Sequence, residues 1–401
     1  MAEAPPFPGP LRRFLRGYLA YVFLFDFMLA YAIYTALFQL RGLSFAEIGL
    51  LLAFWSATAI VLEVPSGALS DHFDRRWLLV AAPLAKALTF VCWALADGSF
   101  WLYGLGFLFW SIGQSLFSDS KEALLYERLA ADGHAGQFDR MLGRDHAANQ
   151  LGIGLGALIG GFVAYYSMEA TLWLCLPPLL AGAAIALGFR DPRRGEAPDE
   201  NAPSGSFPSH FADALAEFRN HPWIRFLTLY IAGGLIVLEI LEEFDQLYYL
   251  AVGLPIWAFG IVDFLVLGIH ALASILAHRL RGRPALGWLL PAVAGLMLIA
   301  AAQASSIWLL IPLILAYIVV APANVLSEAK FQEVMEGTSR ATTTSALVVA
   351  QNVSGITLTL GFGYLAELVG ILPAYGWAGA FLLAVSGWSF WQRLRGFSAT
   401  G

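Results

Sequence analysis

Residues 63–76 read Glu-Val-Pro-Ser-Gly-Ala-Leu-Ser-Asp-His-Phe-Asp-Arg-Arg and lie between two long apolar runs, one over 45–68 and one beginning at Trp77. So few polar residues leave room only for a tight connection, and two membrane-spanning helices joined by a short hairpin fit that pattern. Arg75 and Arg76 close the hairpin, and basic residues in short loops mark the cytoplasmic side of a membrane. Asp71 is therefore expected just inside the cytosol.

The rest of the chain is consistent with this hairpin. Of 401 residues, 59% are hydrophobic and 13% charged, where a soluble domain carries roughly twice that charged fraction. At roughly 20 residues per span there is room for about twelve helices. The expected spans are 14–40, 45–68, 77–95, 100–128, 141–166, 170–189, 222–251, 255–278, 284–302, 307–334, 341–369 and 374–393, which makes an all-α polytopic membrane protein. The net charge of -6 excludes little, because the position of each base carries more information than the sum. Arg12, Arg13 and Arg16 precede the first span. Arg75 and Arg76, Arg140 and Arg144, Arg190 to Arg219, Arg279 to Arg283 and Arg340 follow every second one, and Arg393 and Arg395 end the chain. Both termini are thus expected in the cytoplasm and the protein in the inner membrane. The proline-rich, acidic start argues against a removable signal peptide. Cys92 and Cys175 sit in apolar runs and imply neither disulfide nor metal.

Residues 191–208 are rich in Pro, Gly, Ser and charge, and 211–219 have the spacing of a short amphipathic helix lying on the membrane face. The expected organisation is a bundle over 1–190, a cytoplasmic linker over 191–222 and a second bundle over 223–401. The halves echo each other: Arg13-Phe14-Leu15 matches Arg225-Phe226-Leu227, and Gly42-Leu43 matches Gly253-Leu254 at nearly the same spacing. Gln150 with Gly160 and Gly161 likewise corresponds to Gln351 with Gly361 and Gly363. A six-plus-six repeat is a transporter architecture. His278-Arg-Leu-Arg-Gly-Arg-Pro would be a degenerate copy of the opening hairpin.

Gly67-x-Leu69-x-Asp71-x-x-x-Arg75-Arg76 resembles the loop motif between helices 2 and 3 of the major facilitator superfamily. His72 stands where that motif has a base and Asp74 where it has glycine. Glu122-Ala-Leu-Leu-Tyr-Glu-Arg resembles a segment at the end of helix 4 in a bacterial branch of efflux and uncharacterised permeases. Gly152, Gly156 and Gly160 form a double G-x-x-x-G ridge that is similar to the glycine motif of drug antiporters. Ala157 replaces that motif's proline, and Gly113-Gln114-Ser115 stands where proton-coupled exporters carry a helix 4 arginine. The resemblance implies two six-helix pseudo-repeats with helices 1, 4, 7 and 10 lining a central cavity. It also implies a cytoplasmic gate built from Gly67, Asp71, Arg75, Arg76, Glu122 and Arg140.

Ionisable groups inside a span are costly and mark candidate sites. Asp26 falls about 18 Å into the first helix, near the midplane. It either faces solute, with Tyr34 and its neighbouring tyrosines supplying aromatic surface, or pairs with Lys86 as a structural carboxylate. Glu239, Glu242 and Glu243 share one face of the seventh helix with Gln246, Asp245 lying to the side. Carboxylates so placed repel one another and favour uptake of a proton, unless Glu242 and Glu243 have already reached the outer vestibule. Gln114 on the fourth helix and Gln351 and Asn352 on the eleventh complete the candidate cavity. The three lysines, Lys86, Lys121 and Lys330, all fall in helices, as expected of partners for buried carboxylates. Glu328, Lys330 and Glu333 are the expected second-half counterpart of the Glu122 region.

No phosphate loop, metal-ligand spacing or nucleophile constellation is present, so no metal, cofactor, nucleic acid or enzymatic activity is expected. The expected function is secondary active transport of a small organic solute by alternating access in a monomeric carrier, proton-coupled efflux of a cationic or amphipathic compound being favoured. Uptake of a metabolite or siderophore, or a receptor that keeps the fold without transport, are the alternatives.

Overall fold

A computed structural model describes residues 7–192, 221–334 and 340–399. The expected amphipathic helix over 211–219 lies outside them, as do nearly all of the linker and the side chain of Asp71. Among the described residues there are helices and turns but no strand.

Among the described residues twelve helical segments follow one another. They are α1 (Gly9–Leu40), α2 (Phe45–His72), α3 (Arg75–Leu95), α4 (Phe100–Ala131), α5 (Phe138–Tyr166), α6 (Met168–Ala186), α7 (Pro222–Ala251), α8 (Phe259–Leu276), α9 (Leu286–Ala301), α10 (Leu310–Val334), α11 (Arg340–Val369) and α12 (Ile371–Leu394). Among the described residues, nine segments are long and apolar enough to cross a membrane, and α9 is a shorter apolar helix. The other two, α4 and α11, are 32 and 30 residues long and richer in polar groups. Large apolar side chains such as Val61, Trp101 and Leu394 are exposed, as expected of surfaces that meet lipid.

The hairpin that opens the argument is tight. α2 continues through Pro65 to His72, and α3 starts at Arg75 with Asp74 as its N-cap, the carboxylate accepting from the Arg76 amide at 2.9 Å. The departure from glycine at 74 therefore has a local reason, since capping stabilises a helix by about 1 kcal/mol. Gly42 and Gly253, which the sequence pairs across the repeat, both hold positive φ, at 99° and 77°. Only glycine adopts that conformation freely.

The chain divides into two compact units. The first comprises Met1–Gly42, Phe54–Glu200 and Ile256–Phe264, and the second Leu43–Ala53, Asn201–Pro255 and Leu265–Gly401. In the first unit Gly161 of α5 meets the backbone of Trp257 and Gly260, and in the second Gly49 of α2 meets the backbone of Gly363 on α11. Each contact is closer than any side chain allows.

Helix α1 is discontinuous. Regular α-helix ends at Asp26, Phe27 and Met28 are non-helical, a 3-10 turn covers Leu29–Ala32, and α-helix resumes at Tyr34. The cause lies opposite, on α5. A Cβ on Gly152, Gly156 or Gly160 would strike the backbone of Phe23, Met28 and Leu29 respectively. The glycine ridge thus receives an unwound segment rather than a second regular helix. The amide of Ala30, freed by the break, donates to Cys175 Sγ at 3.4 Å.

Candidate functional site

The break in α1 leaves Asp26 at a helix end, 4% exposed. Its Oδ1 accepts from Lys86 Nζ at 2.5 Å and from the Tyr31 hydroxyl at 2.7 Å, and its Oδ2 accepts from Asn149 Nδ2 at 2.5 Å. Lys86 is wholly buried, its ammonium 4.2 Å from the ring centre of Phe25 and 5.2 Å from that of Trp110. Of the two roles open for Asp26, the geometry contains the ion pair. Both carboxylate oxygens have a donor, as a buried charge requires. Tyr34 is buried nearby against Trp93, with ring centres 5.6 Å apart.

A second pair lies along the same bundle. Lys121 Nζ meets Asp145 Oδ2 at 2.5 Å, and the Tyr18 hydroxyl donates to Oδ1 at 2.8 Å. Lysine in a span did signal a buried carboxylate for Lys86 and Lys121, but not for Lys330, whose partner Glu333 is exposed, and Asp145 was not singled out.

At the Arg75 end, the guanidinium is 1% exposed and bridges to Glu127 Oε2 at 2.6 Å, with Nε donating to Ser70 Oγ at 3.2 Å. The Arg75 amide donates to Asp191 Oδ2 at 3.1 Å. The expected network therefore contains Arg75 but runs through Glu127, five residues beyond Glu122. Glu122 and Arg140 are exposed, Gly67 has open space around it, and Arg76 lies over the Trp77 ring. In the second unit Arg281 pairs with Glu333, which also meets Lys330 at 3.5 Å. That pair repeats Arg75 and Glu127 at the same spacing along the chain, so the degenerate copy after α8 keeps the ionic contact.

The acids of α7 are divided by their surroundings. Glu239 is exposed although Leu238 and Ile240 beside it are buried, and Glu328 of α10 is the charged neighbour that acts on it. Glu242 is exposed with His270 Nδ1 at 3.8 Å, Glu243 is half-buried, and Asp245 and Gln246 are buried. A charged side chain exposed in mid-span needs a water-filled face. Gln114, Gln351 and Asn352 are half-buried, and Gln114 Nε2 reaches Ser118 Oγ at 3.5 Å. Among the described residues no group of three or more metal-binding side chains occurs.

A discontinuous helix at a buried ion pair, inside a twice-repeated helical plan, is transporter architecture, and the comparisons agree. The sequence model of the Major Facilitator Superfamily matches residues 19–359. The chain belongs to the major facilitator superfamily. As a superfamily member it is a multi-pass membrane protein. It is 27% identical over 162 residues to "Multidrug resistance protein MdtH" of Proteus mirabilis and 27% identical over 173 residues to that of Yersinia pestis. Those matches take 38% and 41% of this chain and span 39% and 40% of the relatives' length. Among solved structures, a mutant of nucleoside transporter NupG superposes with a TM-score of 0.75 at 13% identity, over 94% of this chain and 98% of that one. A bacterial homolog to the human lysosomal transporter Spinster, in an inward-facing and occupied conformation, gives 0.74 at 16% identity over 96% and 97%. Identities this low speak for the fold alone.

Proposed function

We propose that this superfamily member exports a cationic or amphipathic organic solute across the inner membrane by alternating access, coupled to protons. The observation that carries the reading is Glu239, exposed in mid-span on α7 with Glu328 as its charged neighbour. Carboxylates that reach the surface attract a cation, whereas the buried acids Asp26 and Asp145 are already neutralised by lysines. The partial similarity to multidrug resistance proteins points the same way.

In this reading Glu239 binds the cationic group of the solute. Gln351 and Asn352 supply neutral polar contacts, Glu242 and Glu243 extend the acidic face, and Gln114 is a separate polar contact of the first unit. Asp26, Tyr34 and the Lys86 pair form a supporting site at the α1 break, where a change of pairing accompanies the transport cycle. Asp71, Arg75, Arg76 and Arg140, with Glu122 and Glu127, act as the cytoplasmic gate, and Arg281 with Glu333 serves the same purpose in the second half. The six-plus-six division at 1–190 and 223–401, joined by a cytoplasmic linker, is part of the same proposal, as is a monomeric state.

Proteoliposomes test it. A tetraphenylphosphonium-type probe should move uphill against an imposed pH gradient and exchange in counterflow, and Glu239→Gln should abolish both. A Glu239→Gln carrier that still accumulates the cation sinks the proposed binding role. Solute uptake driven in the opposite direction would favour a metabolite permease.

A further inference from the structure

Among the described residues three aspartates are buried, and they are held in two different ways. Asp26 and Asp145 each use both carboxylate oxygens, and each has a lysine ammonium at 2.5 Å. Asp245, on α7, is 4% exposed and has no lysine, arginine or histidine partner among the described residues. Two tyrosine hydroxyls hold it instead, Tyr317 of α10 and Tyr375 of α12, both donating to the same oxygen, Oδ1, at 2.7 Å. Oδ2 makes no hydrogen bond among the described residues.

We propose that Asp245 is a proton-binding site, which carries its proton on Oδ2 while Oδ1, as a carbonyl oxygen, accepts from Tyr317 and Tyr375. A carbonyl oxygen has two lone pairs, so the neutral acid fits the observed geometry with no atom displaced. The ionised form is served less well. Tyr375 has a single hydroxyl hydrogen and stands 3.0 Å from the Leu241 carbonyl as well, so one of the two donors is shared. A buried charge without a counter-ion and with one oxygen bare is costly, and binding a proton removes that charge. Among the described residues the other titratable groups around it supply no positive charge, and His270 of α8 faces Glu242 at 3.8 Å instead. These groups are Glu242 and Glu243 on its own helix, Tyr317 on α10, Tyr375 on α12, and Tyr248, whose hydroxyl is engaged with the Ala301 and Leu309 carbonyls at 2.8 and 3.2 Å. From α11, Phe362 packs against Tyr375. Sequence reasoning set Asp245 aside because it lies off the face shared by Glu239 and Glu242. That same placement turns it into the bundle.

The site assigns the proton to a residue distinct from the solute-binding Glu239, and so deepens the transport reading on which it rests. The full chain in lipid nanodiscs, taken through a pH titration by infrared difference spectroscopy, tests it without any solute. The expected result is a carboxylic-acid carbonyl band that titrates, is lost in Asp245→Asn, persists in Glu239→Gln, and shifts in frequency in Tyr317→Phe and Tyr375→Phe. A band undiminished in Asp245→Asn overturns the proposal. Should Asp245→Asn fail to fold, an unchanged band in Tyr375→Phe overturns it equally. A carrier that moves solute on a pH gradient yet keeps its band in Asp245→Asn retains the transport reading and loses this site. Loss of the band together with pH-independent solute movement retains the site and removes the coupling.

Discussion

At the scale of single residues, the first unit shows how a charge is kept inside a membrane protein. Lys86 is fully buried and meets Asp26 at 2.5 Å, with Tyr31 and Asn149 completing the carboxylate. Removing one member leaves the other uncompensated, which typically costs about 3–5 kcal/mol, whereas removing both is close to neutral. Lys86→Met alone should therefore lower the unfolding temperature in detergent sharply. Asp26→Asn combined with Lys86→Met should recover most of that loss. Additive losses in a thermal double-mutant cycle would show that the two groups are not coupled. The pair was legible in part: a lysine in an apolar run and an acid near the midplane invite each other. Asp145 was not, because it falls near the expected start of its span among Arg140, Arg144 and His146, and only folding brings Lys121 and Tyr18 to its carboxylate. Glu127 escaped for a related reason, since a motif points to Glu122 while the helical rotation that selects the inward-facing residue is set by packing.

At the scale of elements, α1 and α5 specify each other. The double G-x-x-x-G ridge was visible in the sequence, and two close-packed helices were its expected product. The break in α1 was not visible, because 21–40 contains neither proline nor glycine. The unwinding comes from tertiary packing: the carbonyls of Phe23, Met28 and Leu29 lie against Gly152, Gly156 and Gly160. Gly160→Ala should place a methyl group on the Leu29 backbone, and overpacking of this kind costs about 1–3 kcal/mol. Gly143→Ala, on the same helix with open space around it, serves as the control and should not lower stability. Thermal unfolding of the two variants compares them directly. Because Asp26 sits at the break, Gly160→Ala should also weaken its pairing with Lys86, so the Lys86→Met penalty should shrink in the Gly160→Ala background. An unchanged penalty would mean that the ridge and the ion pair are independent.

At the scale of the whole molecule, the helix count, the membrane class and the repeat were legible because each rests on many residues at once. Gly42 and Gly253 occupy equivalent positive-φ turns, and Arg75 with Glu127 recurs as Arg281 with Glu333. Orientation in the bilayer rests on the arginines, which gather in alternate loops. Two exposed loop positions separate the two possible orientations. Gly136 lies in the connection between α4 and α5, four residues before Arg140 at the start of α5, and nothing approaches within 4 Å of where its Cβ would stand. Ala304 is exposed in the uncharged connection between α9 and α10. The native cysteines offer little background, Cys175 being buried and Cys92 half-buried within α3. With basic loops in the cytoplasm, a membrane-impermeant maleimide added to intact cells should label Ala304→Cys and leave Gly136→Cys unlabelled, and permeabilisation should expose both. Labelling of Gly136→Cys in intact cells would invert the topology. It would also move the Arg75 and Glu127 contact to the outer face, where a gate made by that pair would close against the exterior instead of the cytosol.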